Sequence, residues 1–192
     1  MKKLKLTSIF LITVLFFACE PATDIDSDVS DKSDRSIIQY HGLKDHSMYK
    51  SDLEKHTGLA TLRSATARYH DVKAAMEDGF VPVLPCQENP DGEGGLGIPF
   101  LNQDRLDAII DLAEPEVLFY EPQKNGRLRL IGAEPVVPIA LWTEDEPPSL
   151  FGQEFHRNDK AGLYGFHMWI WKHNPDGVLA FWHADVSCEF AE

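Results

Sequence analysis

Basic residues are scarce in this chain: 18 Lys and Arg stand against 31 Asp and Glu in 192 residues, a formal net charge of −13. So acidic a surface repels a phosphate backbone and anionic headgroups, which argues against nucleic acid and against electrostatic docking on a membrane. It names no positive partner, because a solvated acidic surface accounts for it equally well. Cysteine is scarce too, with only Cys19, Cys86 and Cys188, and no Cys-x-x-Cys pair of the kind that builds zinc sites. No two histidines stand at the i, i+4 spacing of the helical zinc motif, and no Gly-x-Ser-x-Gly elbow occurs. The glycines 92, 94, 95 and 97 lack the strand–loop–Lys setting of a phosphate cradle, and no dinucleotide fingerprint in its proper setting supports nicotinamide or flavin chemistry.

Long apolar runs are missing as well. The one at the start, residues 9–17, is short for a bilayer span, and it follows Lys2, Lys3 and Lys5 and ends at Ala18-Cys19. This pattern resembles a bacterial lipoprotein signal, with residues 1–18 removed and Cys19 lipidated on sulfur as the new N-terminus. The expected setting is the cell envelope, with the membrane as a partner through the anchor and the domain facing an oxidising compartment, periplasm or cell surface. Removal carries off three lysines and no acids, taking the charge from −13 to −16. Residues 19–50 then read as lipid attachment plus a flexible acidic tether, since 20–35 is Asp, Ser, Thr and Pro with little to bury. Export leaves Cys86 and Cys188 as an even pair, for which a disulfide is the expected state. Closing a loop of about 100 residues, it would restrict the unfolded chain strongly.

Residues 59–78 predict a helix, because Leu59, Leu62, Thr66, Tyr69, Val72 and Met76 recur at three- and four-residue steps before Gly79. A short helix is expected over 104–112, with Leu106, Ile109, Ile110 and Leu112 inward. Residues 116–121 and 127–132 predict a hairpin about Asn125-Gly126. In its second strand Leu128, Leu130, Gly132 and Glu134 share a face at period 2, which would point Glu134 inward unless the strand ends at Gly132. Residues 147–162 read as a long loop carrying His156. The aromatic-rich run 165–173 predicts a strand with His167, Trp169, Trp171 and His173 on one face and Phe166, Met168, Ile170 and Lys172 on the other. After Asn174-Pro175-Asp176-Gly177 it would return along 178–186.

Five blocks carry a resemblance over residues 65–188: Tyr69-His70-Asp71-Val72 leading to Cys86, Leu118-Phe119-Tyr120-Glu121-Pro122-Gln123, Gly126 to Glu134, Pro148-Ser149-Leu150-Phe151-Gly152-Gln153, and His167-Met168-Trp169-Ile170-Trp171-Lys172-His173-Asn174-Pro175-Asp176-Gly177 closing on Cys188. In order and spacing they resemble a family of exported bacterial proteins of unknown function. The resemblance implies no activity, and it places Pro99 where such proteins usually carry a histidine.

The expectation is a single α+β domain over 51–192, an N-terminal helix packed on an antiparallel hairpin-built sheet, with one disulfide locking the C-terminal strand. Two functional readings follow. In the first, Trp169, Trp171, Trp182 and Tyr120 form an aromatic pocket for a small apolar or sugar-like ligand; the bland alternative makes these aromatics core. In the second, His167 and Glu134 join one of His156, His173, His70 or His183 in a His₂–carboxylate site for a single divalent metal, which would support hydrolysis or oxygen chemistry.

Overall fold

The computed structural model describes residues 46–191. The expected signal, the lipidation site Cys19 and the tether up to residue 45 lie outside the described residues. Helix α1 (His46–Thr66) begins inside the stretch read as tether and ends where the predicted helix was to continue. A 3-10 turn, Ala67–His70, follows, and Asp71 turns extended at φ −88° and ψ 105°. Its carboxylate accepts the Lys73 N–H at 3.0 Å and so caps the short α2 (Val72–Glu77). The single helix expected over 59–78 is therefore three pieces. Leu59, Leu62, Thr66 and Tyr69 are buried, but the break swings Met76 out to 54% exposure. Gly79, at φ 95°, supplies the expected stop.

The strands are β1 (Phe80–Pro82), β2 (Gln87–Glu88), β3 (Gly95–Asn102), β4 (Val117–Pro122), β5 (Leu128–Glu134), β6 (Val136–Pro138), β7 (Ser149–Leu150), β8 (Gln153–Glu154), β9 (His156–Asn158) and β10 (Leu163–Gly165). The main sheet runs β1-β3-β4-β5, all antiparallel, with β2 also on β3. A second sheet runs β6-β10-β9, and β7-β8 is a small hairpin. The expected 147–162 loop is thus two tight hairpin strand pairs. The short helix expected over 104–112 is a 3-10 turn, Gln103–Arg105, followed by irregular chain, and Ile109 is 67% exposed. None of the described helices is long and apolar enough to cross a membrane.

One face of the main sheet packs on the helix. Leu118, Tyr120 and Leu130 meet Leu59, Leu62 and Tyr69, and the Tyr120 hydroxyl donates to the Tyr69 carbonyl at 2.7 Å. The other face carries Val117, Phe119 and Ile131 against Trp169 and Val186. A β-bulge decides which face each β5 residue joins. Phe119 pairs with Gly132 but Tyr120 with Leu130, leaving Ile131 as the extra residue. Period 2 therefore fails across it: Leu130 and Ala133 go to the helix side, and Ile131 goes to the opposite side.

The aromatic segment is not a strand, and neither is 178–186. After β10 the chain meets the main sheet at two isolated bridges, Met168 with Ala133 of β5 and His183 with Gly95 of β3, and the Trp171 N–H donates to the Ile131 carbonyl. Beside the Met168 bridge the Trp169 N–H donates to the Val178 carbonyl and the Ile170 N–H turns back onto Met168. Phe166, His167, Met168, Trp169 and Ile170 are consecutively buried. Gly132 allows this crossing, since a Cβ there would lie 2.8 Å from the Met168 carbonyl oxygen. The Asn174–Gly177 stretch is a turn as expected, closed by the Gly177 N–H on the Asn174 carbonyl. The Cys86–Cys188 disulfide is present across 102 residues, tying an irregular tail rather than a C-terminal strand. The tail is also held by Lys172 Nζ, which bridges the Glu121 carboxylate and the Asp185 carbonyl.

Candidate functional site

A cavity of about 600 Å³ lies between the second face of the main sheet and the small sheet. β3 and β4 contribute Pro99, Leu101, Val117 and Phe119, while β6 and β10 contribute Val136 and Leu163. Val83, Leu84 and Gln87 form one side, and Phe181 and Trp182 another. β9 and the turn after it bring Arg157, Asp159 and Lys160 to it. Apart from that stretch, the walls are mostly apolar, as ligand cavities usually are.

Of the polar side chains in those walls, Glu134 and His167 are the buried ones. Glu134 ends β5 and His167 follows β10, so both sit where one sheet hands over to the other. His167 Nδ1 stands 3.4 Å from Glu134 Oε1, with side-chain exposures of 6% and 12%. Nδ1 itself is buried without a hydrogen-bond partner. Rings enclose the imidazole: Phe119 stacks at 5.0 Å and Phe181 meets it edge-on at 4.6 Å. Burial, with the neighbouring Glu116 carboxyl adding to it, pushes the Glu134 carboxyl up to about 8. Burial, with His156 adding to it, pushes His167 down to about 3. Near neutral pH the cavity therefore presents a carboxylic acid beside an uncharged imidazole.

Glu116 is a second buried carboxyl next to this site. It is committed to structure, since Oε2 accepts the Val136 N–H at 2.9 Å, and burial still raises it to about 7. Gly165 makes room for Glu134, because a Cβ on Gly165 would come within 2.1 Å of Oε1. Gly165→Ala is expected to destabilise the domain by about 1–3 kcal/mol, the range for overpacking. In urea unfolding, Glu134→Ala on that background should recover most of the loss. Losses that simply add would mean the two residues do not press on one another.

The sequence-derived candidates do not converge as expected. Of the four pocket aromatics, only Trp182 lines the cavity. Trp169 is core behind the wall, its indole N–H donating to the Ala180 carbonyl at 2.6 Å. Trp171 and Tyr120 belong to the helix side of the sheet, where the Trp171 indole donates to Thr66 Oγ1 at 3.0 Å. The bulge and the turn at Met168–Ile170 separate them, so the shared face read from period 2 does not exist. Among the metal candidates, Glu134, His167 and His156 line the cavity, His156 with its ring 4.6 Å from Phe181. His173 is exposed and His70 lies edge-on to Trp171 on the helix side. His183 is buried against Trp169, its Nδ1 accepting the Asp185 N–H at 3.1 Å. Among the described residues no group of three or more His, Cys, Asp or Glu is placed to hold a metal ion.

Glu134 is inward, as the first of its two sequence readings had it, though on the face opposite to Leu130. Phe119, Phe181, Leu163 and the β9–β10 turn are cavity residues that sequence reasoning passed over. The alternation of Val117 and Phe119 along β4 is the one signal that could have found any of them. No family model, curated protein or solved structure matches this chain.

Proposed function

We propose that this chain is an exported, lipid-anchored envelope protein whose domain binds a small, largely apolar molecule. The observation that carries this reading is the cavity: largely apolar walls around one buried polar pair, Glu134 and His167, with no hydrogen bond to His167 Nδ1 or to the Glu134 carboxyl among the described residues. A packed core would have filled that volume or left the polar pair out of it, because buried polar groups without partners are costly. Anchoring rests on the Lys-rich start, the apolar run and Ala18-Cys19, and the Cys86–Cys188 bridge is consistent with an oxidising compartment. More than one acyl chain on Cys19 would make the attachment durable.

Trp182 is the natural reporter, since it is the tryptophan in the cavity wall. Titrating the purified domain with naphthalene should shift tryptophan emission saturably. Trp182→Phe should remove most of the shift, and Trp171→Phe, on the opposite side of the sheet, should keep it. In cells, Cys19→Ser should move the protein from the membrane to the soluble fraction. An absent shift, or one that survives Trp182→Phe, would overturn the cavity reading. A stoichiometric metal lost in His167→Ala would replace it with a metal site.

A further inference from the structure

Glu134 has an unusual position among the acids of this domain. Three other acids have cations of their own: Asp78 has Arg68, Asp159 has Arg157, and the buried Glu121 has Lys172. Among the described residues no Lys or Arg pairs with Glu134, and no hydrogen bond reaches its carboxyl. The polar groups beside it are His167, an uncharged imidazole that neither neutralises it nor repels a second cation, and the Glu116 carboxyl, which adds no positive charge. A carboxyl with that history opens on the cavity beside the rings of Phe119 and Phe181.

We infer that the cavity selects molecules carrying one protonated nitrogen on an apolar body, and that Glu134 is the counter-ion set to receive that nitrogen. This rests on the reading of the cavity as a binding site. Desolvating a carboxylate is the largest expense of a buried ion pair. Folding has already fixed Glu134 in the cavity wall as the neutral acid, so an incoming ammonium must displace its proton, at about a tenfold cost at pH 7, and it then meets a carboxylate that no Lys or Arg among the described residues competes for. Aromatic faces add a cation–π contribution. The acidic surface raises the local concentration of cations and disfavours anions.

The charged groups around the cavity were weighed for the opposite choice, an anion. Arg157 is exposed and is already held by Asp159 and by the Tyr164 hydroxyl. His156 is pushed below its usual range by burial. Lys160 is left as the cation of the rim. An anion held there would lay its apolar end on Glu134 and His167 and leave both without partners.

Calorimetry at pH 7 with three probes of one skeleton separates the possibilities: 1-naphthylmethylamine, 1-naphthylmethanol and 1-naphthoate. The amine is expected to bind at least tenfold more tightly than the alcohol, with naphthoate weakest. Glu134→Gln should bring the amine to the level of the alcohol. Equal binding of amine and alcohol in both proteins would overturn the inference while the cavity stands. Tightest binding by naphthoate would overturn it in favour of Lys160. Binding by none of the three would remove the cavity reading as well.

Discussion

Replacing both bridging cysteines, Cys86→Ser with Cys188→Ser, is expected to destabilise the domain by about 4–5 kcal/mol, the chain-entropy value for a loop of this length. For a domain of this size that corresponds to a fall in melting temperature of roughly 10–20 °C. The bridge spans 102 residues, which is most of the described chain, so the unfolded state it restricts is nearly the whole domain. Native contacts should survive. The Gly95 and His183 backbones exchange two hydrogen bonds of 3.1 and 3.2 Å, and Lys172 holds the Asp185 carbonyl, independently of the sulfurs. Below its lowered melting point the variant should therefore still show naphthalene binding with close to wild-type affinity. Reductant added to the wild type should reproduce the loss, and either single replacement should equal the double. A melting point that stays within a few degrees would mean that the reduced chain retains enough structure to cancel the entropic gain.

How much of this could be read from the chain varied with the range of the interaction. The β4–β5 hairpin was legible because both of its signals are local: alternation along each strand, and Asn125-Gly126 between them, with Gly126 at φ 73°. The disulfide was legible from the cysteine count together with the expectation of export. The helix break was written locally as well, in Asp71, a good N-cap residue, but a strong apolar stripe on either side outweighed it. The bulge at Ile131 has no such marker. It is set by how β4 and the Met168–Ile170 turn fit against β5, and it moved Glu134 to the face where the cavity lies.

The aromatic segment misled for a physical reason. Large residues at every position from Phe166 to Ile170 satisfy a two-sided strand and an irregular buried segment equally. What settles the choice is whether a neighbouring strand is free to pair. The β5 edge meets the segment at the Ala133–Met168 bridge and at one further hydrogen bond, Trp171 N–H to the Ile131 carbonyl, and the Met168–Ile170 turn between them sends Trp169 and Trp171 to opposite sides. The cavity was less legible still, because its walls come from separate stretches between Val83 and Trp182. Residue type alone could nominate His167 and Glu134, yet not the apolar enclosure that gives the pair its chemistry.

That enclosure predicts a pH dependence with Glu134 as its largest single source. An unfolded chain releases the glutamate proton near 4.3, whereas the folded domain holds it until about 8 on Glu134 and about 7 on Glu116. Between those values the native state binds more protons than the unfolded state, so stability falls as pH rises. His167 acts in the opposite sense. Its folded value of about 3 lies below the unfolded 6.5, so its contribution is complete above pH 6.5 and is lost only as pH falls toward 3. The window from pH 6.5 to 8 therefore reports on the two carboxyls, and Glu134 alone should remove about 1.4 kcal/mol per pH unit there. Glu134→Gln deletes that term. The variant is expected to be more stable than the wild type at pH 8, with its advantage growing by about 2 kcal/mol between pH 6.5 and 8. Denaturant unfolding at a series of pH values measures the difference directly. An advantage that does not change with pH would show that Glu134 is already ionised in the folded protein. A growing one, in a variant that has lost its preference for the amine, would show a buried carboxyl retained for binding at the expense of stability.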